Sequence, residues 1–277
     1  MRPKNIGVVI TTYNSPVWLE KVLIGYEEQS FPDFRVIVAD DGSGEATAEV
    51  IKKYEARGKL TIDHVWQEDD GFRKCQILNK AIAGTKCDYL VFTDGDCIPD
   101  RDFVRVHHDR AEKGCFLSGG YLKLVMAVSE KITEADIRSG VAFDPGWLVR
   151  NGQPRSHKLM KLIKSQPFKH FMNTVTPTSP TWNGMNSSTW TDEIRAVNGF
   201  NEDMQYGGLD RELGERLWNN GLVSRQIRYS AVCLHLDHAR GYARPDVRAR
   251  NDAIRKNTKK MKVKWTENGI VKGSAVH

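Results

Sequence analysis

Two carboxylates, Asp94 and Asp96, stand either side of Gly95 in the stretch TDGDCIP, Thr93 to Pro99, directly behind the apolar run DYLVF. Charges this close repel one another in a partly dry cleft and push carboxyl pKa values up. A divalent cation removes that penalty. Hard ions such as Mg2+ and Mn2+ take oxygen ligands, typically one or two carboxylates together with substrate phosphates. Gly95 gives the backbone the freedom to aim both side chains at one ion. An isolated Asp-Gly-Asp is more often a solvated turn; its place at the mouth of a buried strand favours the ion. A calcium loop of the EF-hand type does not fit, because DGDCIPDRD lacks the glycine and the closing Glu at the required offsets.

The elements that must position these carboxylates are legible from periodicity. IGVVITTYN, FRVIVAD and DYLVFTD are apolar runs with polar ends that read as buried strands, and LTIDHVWQ reads as a further strand between them. Between them, VWLEKVLIGYEEQ, GEATAEVIKKYEARG and RKCQILNKAIAGT carry apolar residues at helical spacing. Ser15 and Pro16 start the first helix and Gly58 closes the second. Strand alternating with helix predicts a parallel sheet covered on both faces. Ligands of such sheets sit at the carboxyl ends of the strands. The strand ends Thr11–Asn14, Asp40–Ser43, Gln67–Arg73 and Asp94–Asp96 therefore converge on one rim. One Asp behind a strand usually caps a helix or a turn; several on one rim mark a site. No glycine-rich dinucleotide fingerprint follows the first strand and no Walker-type loop occurs, which argues against NAD-dependent and P-loop chemistry. The proline-interrupted region from Ser129 to Pro180 predicts irregular structure, short helices and substrate contact. Beyond it, RELGERLWNNG reads as a helix and LVSRQIRYSAVCLHLDH as strand-like alternation that ends in His235 and His238.

Composition bounds the class. The chain has 277 residues, 40% hydrophobic and 27% charged, ordinary for a soluble α/β unit. No apolar run approaches the ~20 residues that cross a bilayer, and Met1–Ile10 lacks a signal-peptide layout, so the expected location is cytoplasmic. Cys75, Cys87, Cys97, Cys115 and Cys233 form no CxxC pair and read as free thiols rather than a disulfide framework or a zinc site. The net charge of +6 is uneven. Arg240 to Lys264 holds ten Lys/Arg against Asp246 and Asp252, a local +8, which leaves −2 for the remainder. Charge confined to one segment argues against a nucleic-acid partner. Lys256, Lys259, Lys260 and Lys264 lie at near-helical spacing. They predict a surface helix that rests on an anionic membrane near a lipid-linked acceptor, on an acidic glycan, or in solvent alone.

In this order, ITTYNSP, VADDGSGE, WQEDDGFRKCQILNKAI, DYLVFTDGDCIPD, NGMNSSTW, VNGFNEDMQYGGLDRELGERL and HLDH resemble the family-2 glycosyltransferases. The likeness is closest to the bacterial subgroup related to chondroitin polymerase domains and β-1,4-galactosyltransferases, and it runs from about Ile6 to His238. It implies the glycosyltransferase A-type fold, a Rossmann-like α/β architecture with a mostly parallel central sheet and helices on both faces. It also implies an inverting reaction, a nucleotide-sugar donor that is commonly UDP-linked, and Mn2+ or Mg2+. Site roles follow from the same resemblance. Asp41, with Asp40 beside it, would accept a hydrogen bond from the uracil edge. Thr11 and Tyr13 would line the nucleoside pocket, and Arg73 would meet the base or the diphosphate. Asp94, with Gly95, would sit near the ribose and the metal's water shell, and Asp96 would bind the metal. His235 would be a second metal ligand, as a neutral imidazole can be, and His238 would contact the diphosphate. Trp182 and Gly184 would form the floor under the donor sugar, with a plain core position as the alternative for Trp182. Asp210 in YGGLDRE matches the family's general base and would also suit a helix N-cap. Leu209 stands where relatives carry a Glu that contacts the acceptor sugar, and Glu212 would supply the missing carboxylate.

These expectations divide the chain into a catalytic domain, 1–238, and a basic C-terminal extension, 239–277. The domain has a nucleotide-binding half, 1–100, and an acceptor-binding half, 101–238. The expected activity is an inverting, metal-dependent transfer of a hexose or N-acetylhexosamine. It runs from a UDP-sugar to a saccharide or lipid-linked glycan, in bacterial surface polysaccharide or lipopolysaccharide synthesis, peripheral to the inner face of the membrane. The alternatives are a nucleotidyltransferase and a nucleotide-sugar-binding module without transferase activity.

Overall fold

The computed structural model describes residues 2–239 and 245–273. The four runs read from the sequence are strands β1 (Ile6–Thr12), β2 (Phe34–Asp40), β3 (Thr61–Trp66) and β4 (Tyr89–Asp94). They pair in parallel in the order β3-β2-β1-β4. After β5 (Cys97–Pro99) come β6 (Cys115–Ser118), β7 (Gly120–Lys123), β8 (Ser187–Trp190), β9 (Val223–Gln226) and β10 (Val232–His235). β8 joins β4 and β6 antiparallel, and β9 lies parallel to β6, which completes a seven-stranded sheet β3-β2-β1-β4-β8-β6-β9. β5, β10 and β7 form a second, three-stranded sheet with β10 in the middle. The run that ends in HLDH alternates as one long strand would. It is two strands in different sheets, broken by a turn at Arg228–Ser230.

The first helices are α1 (Pro16–Glu27), α2 (Glu45–Ala56), α3 (Lys74–Gly84) and α4 (Phe103–Arg110). Short helices α5 (Met126–Lys131), α6 (Glu134–Ser139) and α7 (Pro145–Arg150) and the ten-residue α8 (Gln166–Val175) occupy the proline-rich region, as its broken periodicity predicts. Then come α9 (Thr191–Ala196), α10 (Leu209–Asn219) and α11 (Pro245–Lys260). Side chains alternate across a strand, so the sheet has two cores. Val8, Ile10, Val36 and Val91 meet Leu19 and Leu23 of α1 and Ile51 of α2. Val9, Ile37, Leu90 and Phe92 meet Ile77 and Leu78 of α3, Ile194 of α9 and Leu213 of α10. Double-sided burial is what runs of Val and Ile without polar alternation require. All five cysteines are free and buried. Among the described residues, no helix is long and apolar enough to cross a membrane.

The C-terminal segment packs on α10 and on Asn198 behind α9. Arg255 of α11 pairs with Glu215 of α10 at 2.6 Å. Asn219 donates to the carbonyls of Thr258 and Val263, and Asn198 to those of Thr266 and Val271. Residues 240–244 and 274–277 of the expected extension lie outside the described residues.

This docking corrects both acceptor expectations. Glu212 is 1% exposed. Its carboxylate accepts from Arg216 Nε at 2.8 and 3.0 Å and from Thr258 Oγ1 at 3.1 Å. Arg216, fully buried, also donates to the carbonyls of Val197 and Gly199. An i,i+4 pair that resembles a surface pair is thus an internal clamp, and Glu212 has no carboxylate left for an acceptor. Leu209 is 4% exposed and belongs to the apolar core beneath α10, so it does not reach an acceptor either. Arg216→Met leaves the Glu212 charge buried and unpaired, which is expected to reduce unfolding free energy by about 3–5 kcal/mol. Urea unfolding measures it, and a loss below about 1 kcal/mol, the scale of an exposed pair, would show that the clamp is not structural.

Candidate functional site

The parallel register brings the polar strand ends level. Thr12 pairs with Asp40, Asp40 with Trp66, and Thr11 with Asp94. The chain turns sharply behind β4, where Gly95 N donates to Thr11 O at 2.7 Å. A Cβ on Gly95 would stand 2.9 Å from that oxygen, so only glycine permits this approach.

At one end of the rim, Asp40 and Asp41 divide their duties. Asp40 accepts from Ser43 N at 2.8 Å and lies 3.0 Å from His64 Nε2. Burial pushes its carboxyl up, but His64 and Ser43 outweigh burial and hold it below the usual range. It closes a turn. Asp41 accepts from Gln67 Nε2 at 2.5 Å and from Arg73 N at 2.9 Å, yet burial keeps its carboxyl above the usual range. Arg73 therefore reaches Asp41 through its backbone. Its guanidinium donates to the Glu68 carbonyl and lies 3.4 Å from Asp70. Tyr13 is 51% exposed, with its hydroxyl on Asp69 at 2.8 Å.

Asp94 accepts from Thr11 Oγ1 at 2.7 Å and from Lys74 Nζ at 2.6 Å. Burial favours its neutral form, but Lys74 and Thr11 prevail and hold it low. Thr11 thus serves Asp94 rather than presenting a free hydroxyl. Lys74, the first residue of α3, escaped the sequence reading because a lysine at a helix start usually reads as a solvated charge. FRK in the motif was its only signal. Burial works against its charge, but Asp94, Asp210 and Asp96 together raise its pKa. It is the cation shared by the carboxylates of this rim.

Asp210 is the second residue of α10. The helix N-cap is Gly208, and no side chain caps this end, so the N-cap alternative does not hold. Asp210 Oδ1 is buried without a hydrogen-bond partner. Burial, aided by Asp94 and opposed by Lys74, raises its carboxyl to about 6. Gly184 lies directly against it: a Cβ at position 184 would collide with the Asp210 carboxylate. Gly184 thus makes room for Asp210. Trp182 takes its alternative. Its ring is fully buried against Phe92 and Phe116, 5.4 and 5.7 Å between centroids, so no ring face is open to a sugar. Lys74→Met removes the positive charge that restrains the Asp210 pKa. If Asp210 must be ionised for turnover, the acid limb of the pH–rate profile moves to higher pH, and an unmoved limb would show that Lys74 does not act on Asp210.

Asp96 meets the two histidines because β5 pairs antiparallel with β10, placing Cys97 opposite His235, and Leu236 N donates to Asp96 O at 2.8 Å. His238 Nε2 lies 3.2 Å from Asp96 Oδ2, and His235 Nε2 lies 4.0 Å from Oδ1. One ligand atom from each of the three lies within 4.8 Å of the others. Each imidazole has Nδ1 against a backbone carbonyl, that of Leu236 at 2.8 Å and that of Ala239 at 2.9 Å. With Nδ1 as the donor, the Nε2 lone pairs point at Asp96, the tautomer that a metal ligand needs. Burial first, and then Asp94, push the Asp96 carboxyl up against the pull of His235 and His238. A two-nitrogen, one-carboxylate donor set suits Mn2+ better than Mg2+, which prefers oxygen throughout.

Comparisons with known proteins bear on the fold that carries these residues. Residues 7–124 match the family described as glycosyl transferase family 2. The chain is 28% identical over 250 residues to the chondroitin synthase of Pasteurella multocida (strain Pm70), which covers 81% of this chain and 24% of that protein. The mannosyltransferase PcManGT from Pyrobaculum calidifontis, solved in complex with GDP-Man and Mn2+, has a TM-score of 0.58 at 19% identity, over 87% of this chain and 59% of its own. Staphylococcus aureus TarS 1-349, solved in complex with UDP-GlcNAc, has a TM-score of 0.58 at 17% identity, over 86% of this chain and 60% of its own. The fold is the glycosyltransferase A type. The chain spans about a quarter of the length of the synthase that it matches.

Proposed function

We propose that this chain, which carries a family-2 glycosyltransferase domain related to the chondroitin polymerases, transfers a hexose or N-acetylhexosamine from a UDP-sugar to a saccharide acceptor with inversion. The observation that carries the proposal is the meeting of Asp96, His235 and His238 within 4.8 Å, on the rim that also holds Asp94, Lys74 and the partnerless oxygen of Asp210. Asp41 would take the uracil edge, and exposed Tyr13 would flank the nucleoside. Asp96 and His235 would hold Mn2+, with His238 as a third ligand or a contact to the diphosphate. A bound divalent ion would act as a Lewis acid on the departing diphosphate. Asp210 would accept the proton of the attacking acceptor hydroxyl as its oxygen bonds to the anomeric carbon and the bond to the β-phosphate oxygen breaks, the electron pair leaving on the diphosphate. Lys74 would keep Asp210 ionised and Asp94 in place. Synthesis of a bacterial surface polysaccharide or lipopolysaccharide is the setting proposed for this transfer. A screen of UDP-sugars for Mn2+-dependent hydrolysis tests the proposal. Hydrolysis of one sugar class supports it, and binding without turnover of any donor leaves a binding module in its place.

A further inference from the structure

α8 is turned inside out. Phe171 and Val175, one helical turn apart, are 58% and 48% exposed, while Lys169 is 9% exposed. The inner face is anchored: Asn173 accepts from Tyr229 N and donates to Ser230 Oγ, and the Phe168 ring packs edge-on against Tyr229 at 6.3 Å. The outward apolar face is therefore held in water by its own hydrogen bonds. Ile163 and Met160, just before α8, are each 37% exposed. The segment itself carries no acidic residue, and Asp100 and Asp102 are the carboxylates that act on its Lys164 and Lys169. No Asp or Glu occurs from Pro145 to Thr191, a span that holds Arg150, Arg155, Lys158, Lys161, Lys164 and Lys169. Arg155, Lys158, Lys164, His157 and His170 are exposed. Lys161 is pushed down to about 8 by burial first, and then by Arg228 and Lys158.

We propose that the segment from Arg155 to Val175 is an interfacial surface that seats the protein on an anionic lipid bilayer, with Phe171 and Val175 as the inserted residues. Apolar side chains amid cations are the composition of such surfaces. A second copy of the chain would oppose like charges, and an acidic glycan would leave Phe171 and Val175 in water. The basic helix α11 is a poorer candidate: Ile254 faces the core, Arg255 and Lys259 are bound to Glu215, and no large apolar residue of the helix is exposed. The surface also lies beside the candidate metal ligands. Lys161 Nζ donates to Tyr121 O in β7, the strand that pairs with β10, and the Tyr121 and His235 rings are 6.1 Å apart. An acceptor carried in the same bilayer would be presented next to the site.

Sedimentation with vesicles, without sugar nucleotide, tests this independently of any transferase reading. The whole chain is expected to bind phosphatidylcholine vesicles that contain phosphatidylglycerol and not phosphatidylcholine alone. Phe171→Ser with Val175→Ser is expected to lower partition about tenfold or more. Arg155→Glu with Lys158→Glu and Lys164→Glu is expected to abolish it, whereas Lys256→Glu with Lys260→Glu in α11 is expected to leave it unchanged. All seven substituted positions are on the surface, and circular dichroism checks that the variants fold. The proposal is overturned if the wild type stays in the supernatant, if the Phe171/Val175 variant sediments like wild type, or if partition follows the α11 charges. It is equally overturned if the wild type is instead a dimer that Phe171→Ser dissociates.

Discussion

Asp96→Asn is expected to weaken Mn2+ binding by about a hundredfold or more and to remove Mn2+-dependent turnover of the donor, while the protein stays folded. Loss of an outer partner of a metal ligand already weakens binding about 10–100-fold, and loss of the anionic ligand removes more. Neighbouring carboxylates are already engaged: Asp94 Oδ1 accepts from Lys74 and Thr11, and Asp237 of the HLDH motif pairs with Lys123 at 3.2 Å. The fold tolerates the change because Asp96 carries an unfavourable charge: burial and Asp94 both oppose its ionisation. An amide of the same shape relieves that opposition. Thermal unfolding with Mn2+ and UDP, together and singly, reads both halves. Wild type should gain stability with the logarithm of ligand concentration over its dissociation constant, and the variant should not respond to Mn2+. A variant that keeps the Mn2+-dependent shift would move the metal away from Asp96.

What the sequence made legible follows from the range of the interactions. β1, β2 and β4 declare themselves because a buried parallel strand is apolar nearly throughout, whereas β3 is a half-exposed edge strand that contains Asp63 and His64. Their shared rim follows from parallel pairing alone. Asp94 and Asp96 were legible for the same reason. The meeting of Asp96 with His235 depends on the pairing of β5 with β10 across more than half the chain, and no local pattern encodes it. Only the resemblance joined the two motifs. Lys74, Glu212 and Trp182 were each misjudged or missed through the same gap, which is burial. A helix-start lysine, an i,i+4 Glu–Arg pair and a tryptophan near a site look alike in sequence whether they face water or a core. α11 covers Glu212 and Arg216, and Gly214 of α10 accepts the Trp182 side chain, so the decisive contacts come from segments distant in sequence. The inverted face of α8 is hidden likewise: Phe171 and Lys169 reverse the usual order of inside and outside.

Asp210→Asn should separate catalysis from stability in opposite directions. A general base contributes about 10²–10⁴ in rate, so transfer should fall by roughly a thousandfold with little change in donor binding. Stability should rise. Burial and Asp94 hold the Asp210 carboxyl at about 6 instead of 3.8, so the folded state disfavours the carboxylate by up to about 3 kcal/mol. Below the unfolded pKa both states are protonated and the penalty is absent. It grows as pH rises toward 6 and is complete above it. Asparagine removes it, and the variant should therefore unfold at a higher temperature than wild type near neutral pH and lose that advantage in acid. An N-terminal helix cap would behave otherwise, because its loss destabilises by about 1 kcal/mol. The same raised carboxyl sets the acid limb of the reaction: the base is ionised above about 6, so wild-type transfer should fall as pH drops through that value. A variant that transfers at the wild-type rate ends the base assignment. One that is both slow and less stable at neutral pH means that the carboxylate is structural, held by contacts that outweigh its burial.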